Sequence, residues 1–300
     1  MKKILLVAIV GIIFSPLVVS AAQSRDDQSQ FRILSTDGES QTVVYPFDAS
    51  YRGGGSIASA DLGGDGVDEI VLGAGPGLAP LVSLYRQDGS MIASFYAYAE
   101  SFTGGVNVAL GDVDDDGEIE IITGAMFGGG PHVRVFDSYG NLESEFFAYD
   151  SSFRGGVNVA AGDVNNDGVA EVITGAGITG GPHVKVFTSS GEMLTEIFTA
   201  SSIENTGAVV ATADVNGDGD DEIITGRAGY SDTRVQLFDW KDDALMYVLA
   251  IDAFEDNHYG VNVFGGDIDV DNMEEIGVGT KGGESKIVFY EMTGRKALEL

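Results

Sequence analysis

Five short acidic segments have the spacing of carboxylate ligands around a cation. The fullest runs from Asp112 to Glu120, and the others span 61–69, 163–171, 214–222 and 267–275. Side-chain oxygens at positions 1, 3, 5 and 9 of a segment, with the main-chain oxygen at position 7, can converge on one point. Six to eight oxygen ligands are typical of Ca²⁺, whereas Mg²⁺ keeps several waters in a strict octahedron. The segments therefore predict up to five Ca²⁺ sites.

The predicted ligands are the side chains at positions 1, 3, 5 and 9 and the main-chain oxygens at position 7. They are Asp61, Asp65, Val67 and Glu69; Asp112, Asp114, Asp116, Glu118 and Glu120; Asp163, Asn165, Asp167, Val169 and Glu171; Asp214, Asn216, Asp218, Asp220 and Glu222; and Asp267, Asp269, Asp271, Met273 and Glu275.

Position 6 of each segment requires a sharp turn with positive φ. Gly66, Gly117, Gly168 and Gly219 adopt that conformation without a steric penalty, and Asn272 is a tolerable replacement in the last segment. This turn is also a feature of EF-hands, which are the first alternative to consider.

An EF-hand requires flanking helices and a bidentate Glu at position 12. Position 12 is instead Leu72, Thr123, Thr174, Thr225 and Val278, and the flanking sequences are β-like, so an EF-hand is excluded. An ordinary solvated turn remains the alternative for any single segment, since Asp, Asn and Gly also form turns. It is strongest for the first segment, whose position 3 is Gly63, while five copies in register argue against it for the set.

The acidic segments belong to a longer repeat. Gly38, Gly89, Gly140 and Gly191 follow one another at steps of 51 residues, and Gly294 continues the series slightly out of register. A period near 50 residues is typical of repeat architectures. The elements that carry the acidic segments must therefore be copies of one structural unit.

Within each unit, apolar residues alternate with polar ones, as in 133–136 and 142–146. Alternation bounded by Gly and Asp predicts short, half-buried strands, and each unit holds four, here called A to D. Four strands per unit predict a blade of a β-propeller. The alternatives are a β-sandwich, which lacks a strict period, and a β-solenoid, whose coils are usually shorter.

The predicted fold is all-β: a propeller of five four-stranded blades with an extra N-terminal hairpin. Six C–D hairpins are present, the first near 31–47 and the last near 286–300, but only five A–B pairs. A six-position ring with one incomplete blade is the alternative. The acidic segments connect strands A and B.

The repeats resemble FG-GAP and VCBS repeats and, more distantly, the propeller repeats of integrin α subunits. The resemblance covers residues 31–300 and is carried by Gly-Asp leading into Asp-Xaa-Asn/Asp-Xaa-Asp-Gly and then an Ile-Ile-Thr-Gly-Ala strand, as in 162–176. It implies Ca²⁺ in the acidic loops. This sequence departs from the pattern at Gly63 and in having Glu at position 9, where the family often has Asp.

The start of the chain has the pattern of a secretory signal peptide. Lys2 and Lys3 precede an apolar run, 4–14, and small residues end at Ala21 and Ala22. We predict a signal peptide at 1–22, a short linker at 23–30 and the propeller at 31–300. The run is too short for a typical membrane-spanning helix, so no membrane insertion is expected after cleavage.

The composition narrows the range of partners. The 300 residues carry 47 acidic and 16 basic side chains, a net charge of −31, and no Cys. The charge argues against nucleic acids and anionic membrane surfaces, which bind clustered Lys and Arg. Without Cys there are no disulfides, zinc-thiolate sites or cysteine nucleophiles.

Aromatic, Arg and His residues recur in the loops that antiparallel strands place on the face opposite the acidic loops. They predict a ligand face, and the alternative is that they pack within and between blades. These residues are Tyr51, Arg52, Phe102, His132, Phe153, Arg154 and His183.

The sequence thus predicts a secreted or cell-surface, calcium-binding module that binds or adheres to an extracellular protein or glycan. A periplasmic location also fits. No catalytic constellation is identifiable, so an enzyme is not expected. The rival prediction is a propeller enzyme acting on extracellular polysaccharide, and a purely structural surface protein is a third. The oligomeric state does not follow from the sequence.

Overall fold

The computed structural model describes residues 4–10, 17–23, 30–34, 41–48, 50–255, 257–269, 271–281 and 286–299. The predicted linker at 23–30, apart from its two end residues, and the turn at Gly38 lie outside these ranges.

Five four-stranded antiparallel sheets follow one another along the chain, each with its strands in sequential order. They are blade 1, β5 Gly55–Ala60, β6 Glu69–Ala74, β7 Leu81–Tyr85 and β8 Met91–Tyr96; blade 2, β9 Val106–Gly111, β10 Glu120–Ala125, β11 His132–Phe136 and β12 Leu142–Phe147; blade 3, β13 Val157–Gly162, β14 Glu171–Ala176, β15 His183–Phe187 and β16 Met193–Phe198; blade 4, β17 Ala208–Ala213, β18 Glu222–Arg227, β19 Arg234–Lys241 and β20 Ala244–Asp252; and blade 5, β21 Val261–Gly266, β22 Glu275–Thr280, β23 Ile287–Tyr290 and β24 Lys296–Glu299.

The blades pack side by side around a central channel. The A strands β5, β9, β13, β17 and β21 contact one another in sequence along the inner wall. The B strands of blades 2 to 5 are buried along their whole length, whereas strand D of blades 2 and 3 alternates between exposed and half-buried residues. This gradient from inside to outside confirms the predicted propeller.

The core lies between neighbouring blades. In one cluster, Ile122 and Val135 of blade 2 pack against Val159 and Val172 of blade 3, and equivalent clusters join blades 1 and 2, 3 and 4, and 4 and 5. Such side-by-side packing explains why strand B is buried along its whole length in blades 2 to 5, because both faces of a blade meet a neighbour.

The N-terminal hairpin is present at the predicted place. Its strands, β3 Gln30–Leu34 and β4 Gln41–Val44, pair with each other, and Phe31 and Val44 pack against Ile70 and Leu72 of blade 1. The hairpin therefore belongs to the ring.

Two further strands extend the hairpin into a sixth sheet with the order β1-β2-β3-β4. They are β1 Ile4–Val10 and β2 Leu17–Gln23. Strand β1 contacts β5, β21 and β22, so it closes the inner wall between blades 5 and 1. Five four-stranded blades are confirmed, and the ring has six positions. Both added strands come almost entirely from 1–22, where the signal peptide remains a prediction.

Candidate metal centres

The acidic loops connect strand A to strand B at the same end of every blade, and the position-9 Glu is the first residue of strand B. Main-chain hydrogen bonds join neighbouring loops: Ala170 N donates to Asp112 O, Asp221 N to Asp163 O and Glu274 N to Asp214 O, at 2.8–2.9 Å. The loops of blades 2 to 5 therefore form one continuous rim on this face.

The position-1 carboxylate shapes each loop. In loop 2, Asp112 Oδ1 accepts a hydrogen bond from Asp115 N at 2.9 Å and Oδ2 accepts one from Gly117 N at 3.0 Å. The bond to the position-6 nitrogen recurs in all five loops at 2.7–3.1 Å. Position 1 thus holds the backbone in a turn before any ligand arrives.

The backbone at position 6 has the predicted conformation. Its φ angles are 84° at Gly66, 84° at Gly117, 92° at Gly168, 99° at Gly219 and 66° at Asn272. The left-handed turn is confirmed, including the Asn substitution, which is one that this region tolerates.

The position-9 glutamates reach back under their loops. In loops 2 to 5, Oε2 of Glu120, Glu171, Glu222 and Glu275 accepts a hydrogen bond from the position-2 main-chain nitrogen at 2.9–3.1 Å. Burial, reinforced by the neighbouring loop carboxylates, raises the pKa of each of these glutamates to about 7. A nearby cation would favour their charged form.

In two loops, three carboxylates converge. Oxygens of Asp112, Asp114 and Glu120 lie within 4.8 Å of one another, and so do oxygens of Asp267, Asp269 and Asp271. An acidic cluster alone does not indicate a metal, because exposed carboxylates often stand together without one.

Buried oxygens without hydrogen-bond partners supply a second test of the metal. Three side-chain oxygens of the described residues are of this kind: Ser59 Oγ on strand β5, and Glu69 Oε2 and Asn165 Oδ1, which are at positions 9 and 3 of their loops and are predicted ligands. An unpaired buried acceptor costs free energy unless a donor or a cation meets it. The donor set of carboxylate, amide and main-chain oxygen also suits a hard cation, so these residues fit Ca²⁺.

Loops 3 and 4 carry Asn at position 3. Asn165 Nδ2 donates to Glu171 Oε1 at 2.6 Å, and Asn216 Nδ2 donates to Glu222 Oε1. The two side chains are thus already adjacent at positions 3 and 9. In loop 1, Gly63 offers no side chain at this place, and a Cβ built there would meet only Glu69 Oε2, at 3.7 Å.

Sequence reasoning missed a set of acids at position 8. Burial, with repulsion from nearby loop carboxylates, raises the pKa of Asp68 to about 6, of Asp221 to about 7 and of Glu274 to about 8. Asp221 and Glu274 repel each other, which places negative charge between adjacent loops. The available signal was the acid at position 8 in loops 1, 4 and 5, where loops 2 and 3 have Ile119 and Ala170.

The aromatic members of the predicted ligand face make contacts within the protein. Tyr51 is 7% exposed, and its hydroxyl donates to Gly54 O at 3.0 Å. Phe102 and Phe153 are half-buried and pack edge-on against Tyr98 and Tyr149. Their rings lie where a Cβ on the neighbouring glycines would clash, so they fill the junction between loops.

The two histidines begin strand C and are also half-buried. His132 stacks on Phe147 with its Nε2 3.2 Å from Glu145 Oε2, and His183 stacks on Phe198 with its Nε2 3.0 Å from Glu196 Oε2. Burial lowers the pKa of both histidines, which favours their neutral form.

The two arginines of this set are exposed. The guanidinium of Arg52 donates to Tyr51 O, and that of Arg154 donates to the main-chain oxygens of Ser151 and Phe153. The structure thus places internal partners beside every member of the set, and its role in binding a ligand stays a prediction.

A comparison with protein families adds a finding that agrees with this geometry. Residues 206–238 match the family model described as FG-GAP repeat. The matched segment contains strand β17, the fourth acidic loop and strand β18. The protein is a β-propeller that contains a match to the FG-GAP repeat in its fourth blade.

The β-propeller fold is shared with a solved structure. The structure of the Dos1 propeller is similar with a TM-score of 0.53 and 14% identity, over 95% of this chain and 67% of that one. The crystal structure of the V. cholerae biofilm matrix protein Bap1 is similar with a TM-score of 0.45 and 21% identity, over 82% of this chain. The match spans only 38% of the Bap1 chain. No curated protein matches the chain.

Within the ranges that the structure describes, there is no helix with the length and apolar character needed to cross a bilayer.

Proposed function

We propose that this β-propeller is an exported calcium-binding protein that serves as an extracellular binding or adhesion module for a protein or a glycan. The observation that carries the proposal is the set of five acidic loops, with buried, unpaired oxygens at Glu69 in loop 1 and Asn165 in loop 3. The predicted signal peptide supports export, and the fold offers a broad loop face for a partner.

Calcium has a structural role in this proposal. Each ion would be held by the side chains at positions 1, 3, 5 and 9 and by the main-chain oxygen at position 7. The ion supplies positive charge to a loop whose own side chains are negative. The loops contain 17 carboxylates among these positions in a chain of net charge −31 without Cys. Because a metal that binds only the folded state stabilises it, the ions replace covalent cross-links.

The partner is expected on the face opposite the rim. The A–B and C–D connections occupy one face, and the B–C and D–A connections occupy the other, because successive strands are antiparallel. Exposed aromatic side chains lie in the second group of connections, including Phe127, Tyr230 and Tyr259, which are 55%, 81% and 46% exposed. Tyrosine and phenylalanine are common in recognition surfaces.

Two variants in one loop test the calcium assignment. Asp114→Ala removes a proposed ligand, whereas Asp115→Asn removes one charge at position 4, which is not a proposed ligand. We expect Asp114→Ala to bind about one ion fewer by elemental analysis and to lower the calcium-loaded Tm, and Asp115→Asn to resemble the wild type. Equal calcium content and equal melting of all three proteins in calcium and in EDTA would refute the assignment.

The binding role is tested separately on the exported protein. Arrays of glycans and of extracellular proteins, probed with and without calcium, should show retention that depends on calcium. Turnover of a polysaccharide would favour the enzyme instead, and absence of both binding and turnover would leave calcium binding as the function.

A further inference from the structure

The propeller encloses a cavity of about 530 Å³ along its central channel. Its walls are the A strands of all five blades, and its mouth lies among the B–C connections, on the face opposite the acidic rim. Val, Ala, Gly and Ile residues form most of the lining. This volume and this mixture of apolar wall and few polar groups are typical of sites for small molecules.

One charged side chain stands among the described residues of the lining, and it belongs to Lys281. Lys281 directly follows strand B of blade 5. The corresponding residues of blades 1 to 4 are Gly75, Met126, Gly177 and Ala228. Because four blades complete this connection without a charge, the lysine is not a requirement of blade packing.

The Lys281 ammonium has few partners. Its Nζ donates one hydrogen bond, of 3.0 Å, to the main-chain oxygen of Ala228, and no described carboxylate pairs with it. The side chain is exposed to the solvent of the channel, yet surrounding protein atoms lower its pKa to about 8. An ammonium carries three N–H donors, so two remain for a ligand.

A second hydrogen-bond donor in the channel, the side-chain amide of Asn262, lacks the partner that its counterparts in blades 2 and 3 have among the described residues. Asn107 Nδ2 donates to Val157 O at 2.8 Å and Asn158 Nδ2 donates to Ala208 O at 2.6 Å, each bridging to the next blade. Asn262 has the same position on strand β21 and lines the cavity, but it makes no hydrogen bond within the described part of the chain.

We propose that the channel binds an apolar monocarboxylate, whose carboxylate group accepts hydrogen bonds from Lys281 and Asn262. An ammonium and an amide donor on one blade suit a carboxylate, since charge-assisted hydrogen bonds are the stronger ones. The apolar walls take the body of the ligand. The site uses none of the acidic loops, so it goes beyond the proposed calcium-dependent adhesion.

The chain itself offers the substitutions that test this site. Lys281→Met introduces the residue that blade 2 has at the same place, Met126, and Asn262→Val introduces the residue that blade 4 has, Val209. Lys296→Met is the matched control, because Lys296 lies on the outermost strand and pairs with Glu299. Each test substitution therefore introduces a side chain that another blade already accommodates at the same position.

The experiment is a calorimetric titration of the full-length, calcium-loaded protein with benzoate and with its neutral isostere benzamide. We expect the wild type and Lys296→Met to prefer benzoate by about tenfold, the effect of one charge-assisted hydrogen bond. Lys281→Met should lose the preference, and Asn262→Val should weaken it. The dipeptide Gly-Phe and its C-terminal amide form a second pair, which distinguishes a peptide terminus from a free organic acid as the source of the carboxylate.

The proposal is overturned if the wild type prefers neither benzoate nor the free dipeptide over its amide. It is also overturned if Lys281→Met keeps the preference of the wild type. Unchanged circular dichroism and Tm of the variants show that they are folded, and these results do not depend on whether adhesion is found.

Discussion

Raising the pH of the metal-free protein from about 5 to about 8 should destabilise it. The cause is the set of position-9 glutamates, Glu120, Glu171, Glu222 and Glu275, whose pKa values rise from 4.5 to about 7 on folding. Between those values the folded state holds more protons than the unfolded state. Stability is therefore greatest below the unfolded pKa and is lost as the pH rises through about 7.

The magnitude follows from the four shifts. A rise from 4.5 to about 7 corresponds to about 3 kcal/mol of folding free energy for each carboxyl group. The four side chains are only 1–4% exposed, so solvent screens them little. Their sum, about 12 kcal/mol, is an upper limit because the loops can open, but it equals the whole stability of an ordinary domain.

The assay is thermal unfolding in EDTA across this pH range, followed at the upper end by excess calcium. We expect Tm to fall steadily with pH and calcium to restore it, because the cation replaces the protons. The quadruple variant Glu120→Gln, Glu171→Gln, Glu222→Gln and Glu275→Gln should have a much smaller slope. The remaining slope comes from Asp68, Asp221 and Glu274, whose pKa values are also raised. Glu100→Gln, on an exposed loop, should keep the full slope. A metal-free Tm that is constant or rises with pH would show that these groups do not control stability.

Three substitutions test other parts of the structure. Gly63→Asp supplies the missing position-3 ligand where there is room, so it should raise the calcium affinity of loop 1 by about tenfold. Gly64→Asp adds the same charge at position 4 and should not raise it. Equal calcium affinities of the two variants would contradict this prediction. Gly175→Ala should lower the urea midpoint, because its Cβ would lie 2.4 Å from Ala208 O of the next blade, whereas Gly279→Ala meets no described atom within 4 Å and should be tolerated. Asn158→Leu removes the donor to Ala208 O and should cost about 1–3 kcal/mol in urea unfolding; an unchanged midpoint would exclude a role for the bridging amide.

The signal-peptide prediction bears directly on the sixth sheet. Mass spectrometry of the exported protein should find a new N-terminus at Ala22 or Gln23. Cleavage there would remove β1 and nearly all of β2, leaving β3 and β4 at the sixth position. An intact Met1 on the exported protein would instead keep all four strands in the ring.

Local sequence was sufficient to predict the blades and the loops. Three patterns in the sequence depend only on the local geometry of strands and turns. They are the period of 51 residues, the alternation of apolar residues, and the Gly or Asn at position 6. The propeller, the five A–B loops and the left-handed turn at Asn272 were therefore predictable. Position 9 was predictable as the start of strand B for the same reason.

Packing between blades decided the features that the sequence did not reveal. The raised pKa values of Asp221 and Glu274 come first from burial and then from carboxylates that include those of the adjoining loops, about 50 residues away in the chain. The Lys281 amine stands out only once the fold places it in the lining of the same channel as Asn262, with no described carboxylate paired to it. The sequence determines the position of each residue within its repeat. The charges around that residue come from neighbouring repeats, and the residues of those repeats become neighbours only when the ring is assembled.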